Sequence, residues 1–327
     1  MDTAQHTKEE LATLSTRYLY GGTIRISQMD RFGTEEYHPY LRSGWIAADE
    51  DLAAGYDLMY ELLYDTQFTD YDTMLGLIQQ NKASLKSGIT SDPYEAMIYR
   101  AYGAYHPSFA YYDYVNYLEY YAFLEQVEQA MAEAPEVVET MLEDVQAYFH
   151  NRTNAVAAYA GSGEGIETNA PLADDFLARL DAAPIEPADY AFETPAPSEA
   201  LIVDSSVQFN CVVGDYAACG LEGFTADLDA VSSLVSDLYL FPMLREQYGV
   251  YTPMHSFIAD AGPYFIAYRD PNILETFEVY EDVPRFLVEQ DLDQETLDGY
   301  ILSSYSYYAM PEGELSGAVS AVLSRLS

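Results

Sequence analysis

Hydrolytic metal chemistry needs histidines spaced so that two ring nitrogens reach one ion, most simply one helical turn apart. The five histidines are His6, His38, His106, His150 and His255, and none has a second within four residues. His6 is followed by Glu9 and Glu10 but by no closing histidine. No Gly-x-Ser-x-Gly elbow presents a nucleophile. Cys211 and Cys219 have no histidine beside them and make a poor metal pair. The glycine cluster Gly161-Ser-Gly-Glu-Gly165 lacks the Lys-Ser/Thr of a phosphate loop and reads as a turn into a helix. Carboxylates, 54 in all, are too abundant for any pair to stand out. Residue chemistry alone gives no complete active site, so the chain by itself is expected to be inactive and to bind no zinc.

The elements that must carry any site follow from periodicity. Residues 5–19 read as a helix stopped by Gly21-Gly22. Strands are expected over 23–29 and 37–48. Asp49 or Asp51 can cap a helix with the stripe Leu52, Tyr56, Met59 and Leu63. Thr69 or Asp70 caps a longer helix towards Tyr105, broken near Pro93. Helices are expected over 111–132 and 136–150, the first lined with tyrosines that suit core packing, though a stacking surface is conceivable. A short buried strand is expected over 154–160. Residues 181–199 hold Pro184, Pro187, Pro195 and Pro197 and no basic residue, which marks a semi-rigid linker between residues 1–180 and 200–327. Beyond it, strict alternation over 201–213 gives a strand with Cys211 on its apolar face as a buried thiol. A helix over 226–246 should kink at Pro242, and strands follow at 251–260 and 264–268. Asp270 and Pro271 read as cap and first residue of a helix over 273–289, followed by helices over 293–306 and 312–326.

The chain has 327 residues, with 14 basic and 54 acidic side chains, a net charge of −40. A phosphate backbone needs a basic surface, so no nucleic acid is expected as partner, and no anionic membrane. Hydrophobic residues at 49% exclude an acidic disordered tail. No stretch is long enough to span a membrane, and no basic-then-apolar leader follows Met1. Two cysteines fit a reducing compartment, and the expected location is cytoplasmic. The acid excess suits either a solvated surface or a negative cavity that attracts basic ligands; charge alone does not separate these.

Residues 244–272 are more specific. Leu244-Arg245-Glu-Gln-Tyr-Gly249-Val-Tyr251 precedes Gly262-Pro-Tyr-Phe-Ile-Ala-Tyr268-Arg269-Asp270-Pro271-Asn272. This resembles the C-terminal half of the pitrilysin/insulinase zinc metallopeptidases, in the presequence-protease-like subgroup, where an Arg-x-Lys-Gly-Gly-Ala-Tyr-Gly segment is followed by Tyr-Arg-Asp-Pro-Asn. Glu275-Thr-Phe-Glu-Val-Tyr280 resembles the family's next helix. Leu19-Tyr-Gly-Gly22 resembles its Gly-Gly turn, and Phe68-Thr-Asp70 the start of a long helix in its third domain. Gln247, Tyr248 and Thr252 depart from the motif's lysine, first glycine and last glycine, so a changed loop conformation is expected there.

The resemblance implies an α+β fold of two related domains, each a mostly antiparallel sheet with helices packed on one face. The third family domain would span 1–180 and the fourth 200–327, joined by 181–199 and shortened at both ends. It implies a clamshell half closing over unstructured peptides, with the His-x-x-Glu-His zinc site in a separate N-terminal half. It places the family's substrate-binding arginine and tyrosine on Arg245 and Tyr251. The expected partners are a peptide substrate and the zinc-bearing half, on the same or another chain. A non-catalytic relative serving as a structural or peptide-binding subunit is the alternative.

Overall fold

The computed structural model describes residues 1–30, 34, 36–185, 192–311, 313, 317, 320 and 321. The N-terminal part opens with α1 (Lys8–Tyr18), whose start is closed by a reciprocal Thr7–Glu10 capping box. The antiparallel hairpin β1 (Tyr20–Asp30) and β2 (Tyr37–Ile46) follows. Then come helices α2 (Leu52–Tyr64), α3 (Tyr71–Ser91) and α4 (Tyr94–Gly103). Asp70 caps α3 by accepting from the Thr73 amide at 3.1 Å. Asp92 and Pro93 separate α3 from α4, because the ring of a proline disfavours helix in the residue before it.

The tyrosine-rich stretch is two helices, α5 (Pro107–Asn116) and α6 (Leu118–Glu133), where one was expected. The break at Tyr117 is held by Asp113, fully buried, which accepts from the Leu118 amide at 3.0 Å and from Arg100 Nη1 at 2.9 Å. Helix α7 (Pro135–Phe149) follows with proline at its first position. The buried strand expected over 154–160 is absent: the segment is irregular, and Val156 is largely exposed. Helix α8 (Gly163–Ala178) starts at Ser162, whose hydroxyl accepts from Gly165 N. Part of the expected linker, 186–191, and most of the expected helix 312–326 lie outside the described residues.

The C-terminal part is built on a three-stranded antiparallel sheet in the order β3 (Gln208–Val213), β5 (Gly262–Asp270), β4 (Thr252–Ile258). The alternating run before Gln208 does not extend the strand, and Ile202 is almost fully exposed. Helix α9 (Asp227–Val235) runs into a π-helical segment (Ser236–Gln247), and α10 (Leu274–Glu289) and α11 (Gln294–Tyr308) follow. On one face of the sheet, Val212, Phe265 and Ala267 meet Val235, Leu240, Leu244, Val279 and Val283. On the other, Cys211, Val213, Met254 and Ile266 meet Ile98, Tyr102 and Phe109 of α4 and α5. The sheet thus carries its own helices on one face, while the N-terminal part closes the other. Tyr102 seals that contact by donating its buried hydroxyl to the Gly262 carbonyl at 2.7 Å. Gly262 has φ +152, and a Cβ there would collide with the Gly214 carbonyl. The molecule is α+β, with small antiparallel sheets in a mainly helical chain.

Candidate functional site

The two residues singled out in the sequence are brought together where the π-helical segment meets β4. Pro242 lies inside that segment and lacks the N–H an α-helix would use, so the backbone settles into wider turns. The Tyr248 amide accordingly bonds the Met243 carbonyl, and the Val250 amide that of Leu244. Gly249, at φ +78, makes the left-handed step that ends the helix. Val250, fully buried, fixes the chain before Tyr251 emerges.

Arg245 curls over this turn. Its Nη1 donates to the Tyr251 carbonyl at 2.6 Å and to that of Val250 at 3.3 Å. Its guanidinium carbon stands 5.0 Å from the centre of the Tyr251 ring. The Tyr251 amide donates to the Arg269 carbonyl at 3.3 Å, which ties the turn to the end of β5. Tyr251 is 55% exposed, and its hydroxyl has no hydrogen-bond partner among the described residues. Arg245 has no ion pair among the described residues, although acids outnumber bases 54 to 14. Chemically, the pair offers a phenolic hydroxyl and the remaining guanidinium N–H groups as donors on an open surface, the kind that receive a carbonyl or an oxyanion.

The segment Tyr268–Asn272 acts as the clasp beneath this surface. Asp270 was expected to cap the next helix; it is instead fully buried at the end of β5, and α10 begins at Leu274. Its carboxylate accepts from Asn210 Nδ2 at 2.8 Å, from the Asn272 amide at 2.7 Å, and from the Thr276 hydroxyl. Asn272 Nδ2 in turn donates to the Tyr248 carbonyl at 2.9 Å, inside the Arg245–Tyr251 turn. A buried carboxylate is tolerable only when its oxygens are saturated with donors, and here the donors also fix the loop. Asn210, on the face of β3 that alternation assigned to solvent, is a working part of this network. Pairing between β3 and β5 sets its role, and nothing in its local sequence signals it.

Sequence reasoning also passed over Arg269. Its guanidinium carbon lies 5.7 Å from the Tyr251 ring centre and 5.5 Å from that of Tyr268. Tyr268 and Tyr251 stand 6.3 Å apart, centre to centre, and the Tyr268 hydroxyl reaches the Ser91 carbonyl at the end of α3 at 3.4 Å. Among the described residues, no group of three or more His, Cys, Asp and Glu side chains is placed to hold a metal ion. The described residues therefore offer no donor set that fits a zinc site.

Residues 1–127 match the family model for the peptidase-associated domain of metallopeptidase family sixteen, subfamily C. Residues 198–320 match the PreP C-terminal domain, which contains Arg245, Tyr251 and Arg269. Protein HypA of Clostridium perfringens (strain 13 / Type A) is 24% identical over 298 residues, covering 91% of this chain and 30% of that protein. Presequence protease 1, chloroplastic/mitochondrial, of Arabidopsis thaliana is 23% identical over 267 residues, covering 79% of this chain and 24% of that protein. The chain spans under a third of the length of these curated relatives. With both domains present in this order, the chain belongs to the pitrilysin/insulinase family, as its presequence-protease-like C-terminal half.

Proposed function

We propose that this chain closes over unstructured peptides as the non-zinc half of a presequence-protease-like metalloendopeptidase, with Arg245 and Tyr251 holding the substrate backbone. One observation carries the assignment. In a chain of net charge −40, Arg245 has no ion pair among the described residues and instead shapes the turn that presents an exposed Tyr251 hydroxyl with no hydrogen-bond partner among them. A surface arginine in such a chain gains by pairing with an acid, so a place reserved from acids suits a ligand that brings its own acceptor. The peptide carbonyl is such an acceptor, and the charge that develops on it during hydrolysis strengthens the bond. The hydrolytic metal belongs, in this reading, to the N-terminal half, and this chain's residues bind and orient.

The test is reconstitution. The zinc-bearing half should cleave an unstructured peptide weakly or not at all alone, and efficiently when this chain is added. Full cleavage by the zinc half alone contradicts the reading. Reconstitution that Arg245→Ala and Tyr251→Phe leave at full rate favours a structural subunit instead.

A further inference from the structure

Arg269 has φ 53°, the one positive φ of a non-glycine among the described residues. It lies where the pairing of β3 and β5 slips: Gln208 faces Asp270 and Asn210 faces Ala267, so Phe209 alone opposes Tyr268 and Arg269. This is a β-bulge, which re-aims a side chain, and its left-handed position is ordinarily filled by glycine. Here an arginine occupies it and is aimed out of the ladder towards the exposed ring of Tyr251. Like Arg245, Arg269 has no ion pair among the described residues. The adjacent acid, Asp270, is buried and saturated by Asn210, Asn272 and Thr276. Two guanidiniums therefore lie within 6 Å of the centre of one exposed ring, and neither has an ion pair among the described residues.

A peptide carbonyl can satisfy donors here, but it leaves both positive charges uncompensated. A carboxylate does both, and a planar guanidinium matches it through paired N–H bonds. We infer that Arg269, together with Arg245, forms a carboxylate-binding subsite beside Tyr251, which takes the C-terminal carboxylate or an acidic side chain of a bound peptide. The inference rests on the proposal that peptides lie along Tyr251, and it adds the substrate feature read there. The strained backbone at Arg269 is then the cost of pointing a cation at a position the sheet would otherwise leave to glycine.

The test measures binding to this chain by fluorescence anisotropy, using one labelled unstructured peptide that carries a single Glu near its end. It is compared with its Gln version, each as free acid and as C-terminal amide. The parent chain should bind the fully charged peptide roughly tenfold more tightly than the version lacking both carboxylates, and Arg269→Gln should remove that difference. Glutamine meets the same backbone strain as arginine, so loss of binding is not loss of fold. Arg269→Lys, which keeps the charge without the fork, should restore part of it. Loss caused by Glu→Gln alone assigns the side chain as ligand, and loss caused by amidation alone assigns the C-terminus. Binding that Arg245→Ala weakens but Arg269→Gln leaves unchanged for every peptide overturns the subsite alone. Absence of binding by all the peptides contradicts the underlying proposal, and the subsite with it.

Discussion

At the scale of single residues, the site couples a side chain that costs stability to others that shape the turn. A left-handed, non-glycine residue costs on the order of 1 kcal/mol. Arg269→Gly should therefore raise the melting temperature by a few degrees while weakening carboxylate binding as Arg269→Gln does, and a fall in melting temperature would show that Arg269 holds the fold instead. Asp270 predicts the reverse. Asp270→Ala removes an acceptor from buried Asn210 and from the half-buried Asn272 amide, and should cost about 3 kcal/mol in denaturant unfolding. His255 gives a signed pH effect. Its ring stacks on Phe265 and its Nδ1 lies 2.8 Å from the Tyr264 carbonyl, and burial holds its pKa below the usual 6.5. The unfolded chain therefore takes up a proton that the folded chain refuses. Stability from this group is complete above about 6.5 and declines as pH falls through that value. His255→Phe should flatten that part of the stability–pH curve, and an unchanged curve would assign the slope to other groups.

At the scale of elements, what was legible in the sequence was what local chemistry decides. Asp70 caps α3, the chain breaks before Pro93, and the antiparallel pair β4 and β5 falls where strands were expected over 251–260 and 264–268. Pro242 was expected to kink a helix, and it sits in a π-helical segment that sets the angle of the Arg245–Tyr251 turn. The misses share one cause, which is that distant residues decided the outcome. The break at Tyr117 depends on Asp113 held by Arg100, which is also bound to Glu119 and Glu199. The expected strand over 154–160 finds no partner strand, and strand-like composition without a ladder does not make a strand. The candidate pair was legible through motif resemblance, whereas Arg269 was not. Its importance lies in a bulge that appears only once β3 and β5 are paired.

At the scale of the whole molecule, the N- and C-terminal parts share a core. Ile98, Tyr102 and Phe109 from one pack with Ala261 and Ile266 from the other, so the parts should unfold together. Two native probes report on the N-terminal cluster and on this shared core. Trp45, the single tryptophan, packs on the cluster of Leu11, Leu58 and Met59 in the N-terminal part. Cys211 packs on the shared core, and burial pushes its thiol up to about 12, so it should resist thiol reagents until unfolding, while exposed Cys219 reacts in the native state. Trp45 fluorescence and Cys211 labelling should report one midpoint, and two separated midpoints would show independent parts. Among the described residues no helix is long and apolar enough to cross a membrane. If the net charge of −40 reaches the peptide-binding surface, basic peptides should be preferred overall and that preference should fade with salt, since screening shortens to ~8 Å at physiological ionic strength.

The most direct test of the proposed substrate role is turnover beside thermal stability for Tyr251→Phe in the assembly of this chain with the proposed zinc-bearing half. The substitution removes only a hydroxyl that has no partner among the described residues, so packing is kept and the melting temperature should not move. If that hydroxyl donates to the developing oxyanion, its loss should cost on the order of 3 kcal/mol, about a hundredfold in rate. Full turnover, or a drop in melting temperature large enough to account for the lost activity, would contradict the assignment of Tyr251 to the substrate.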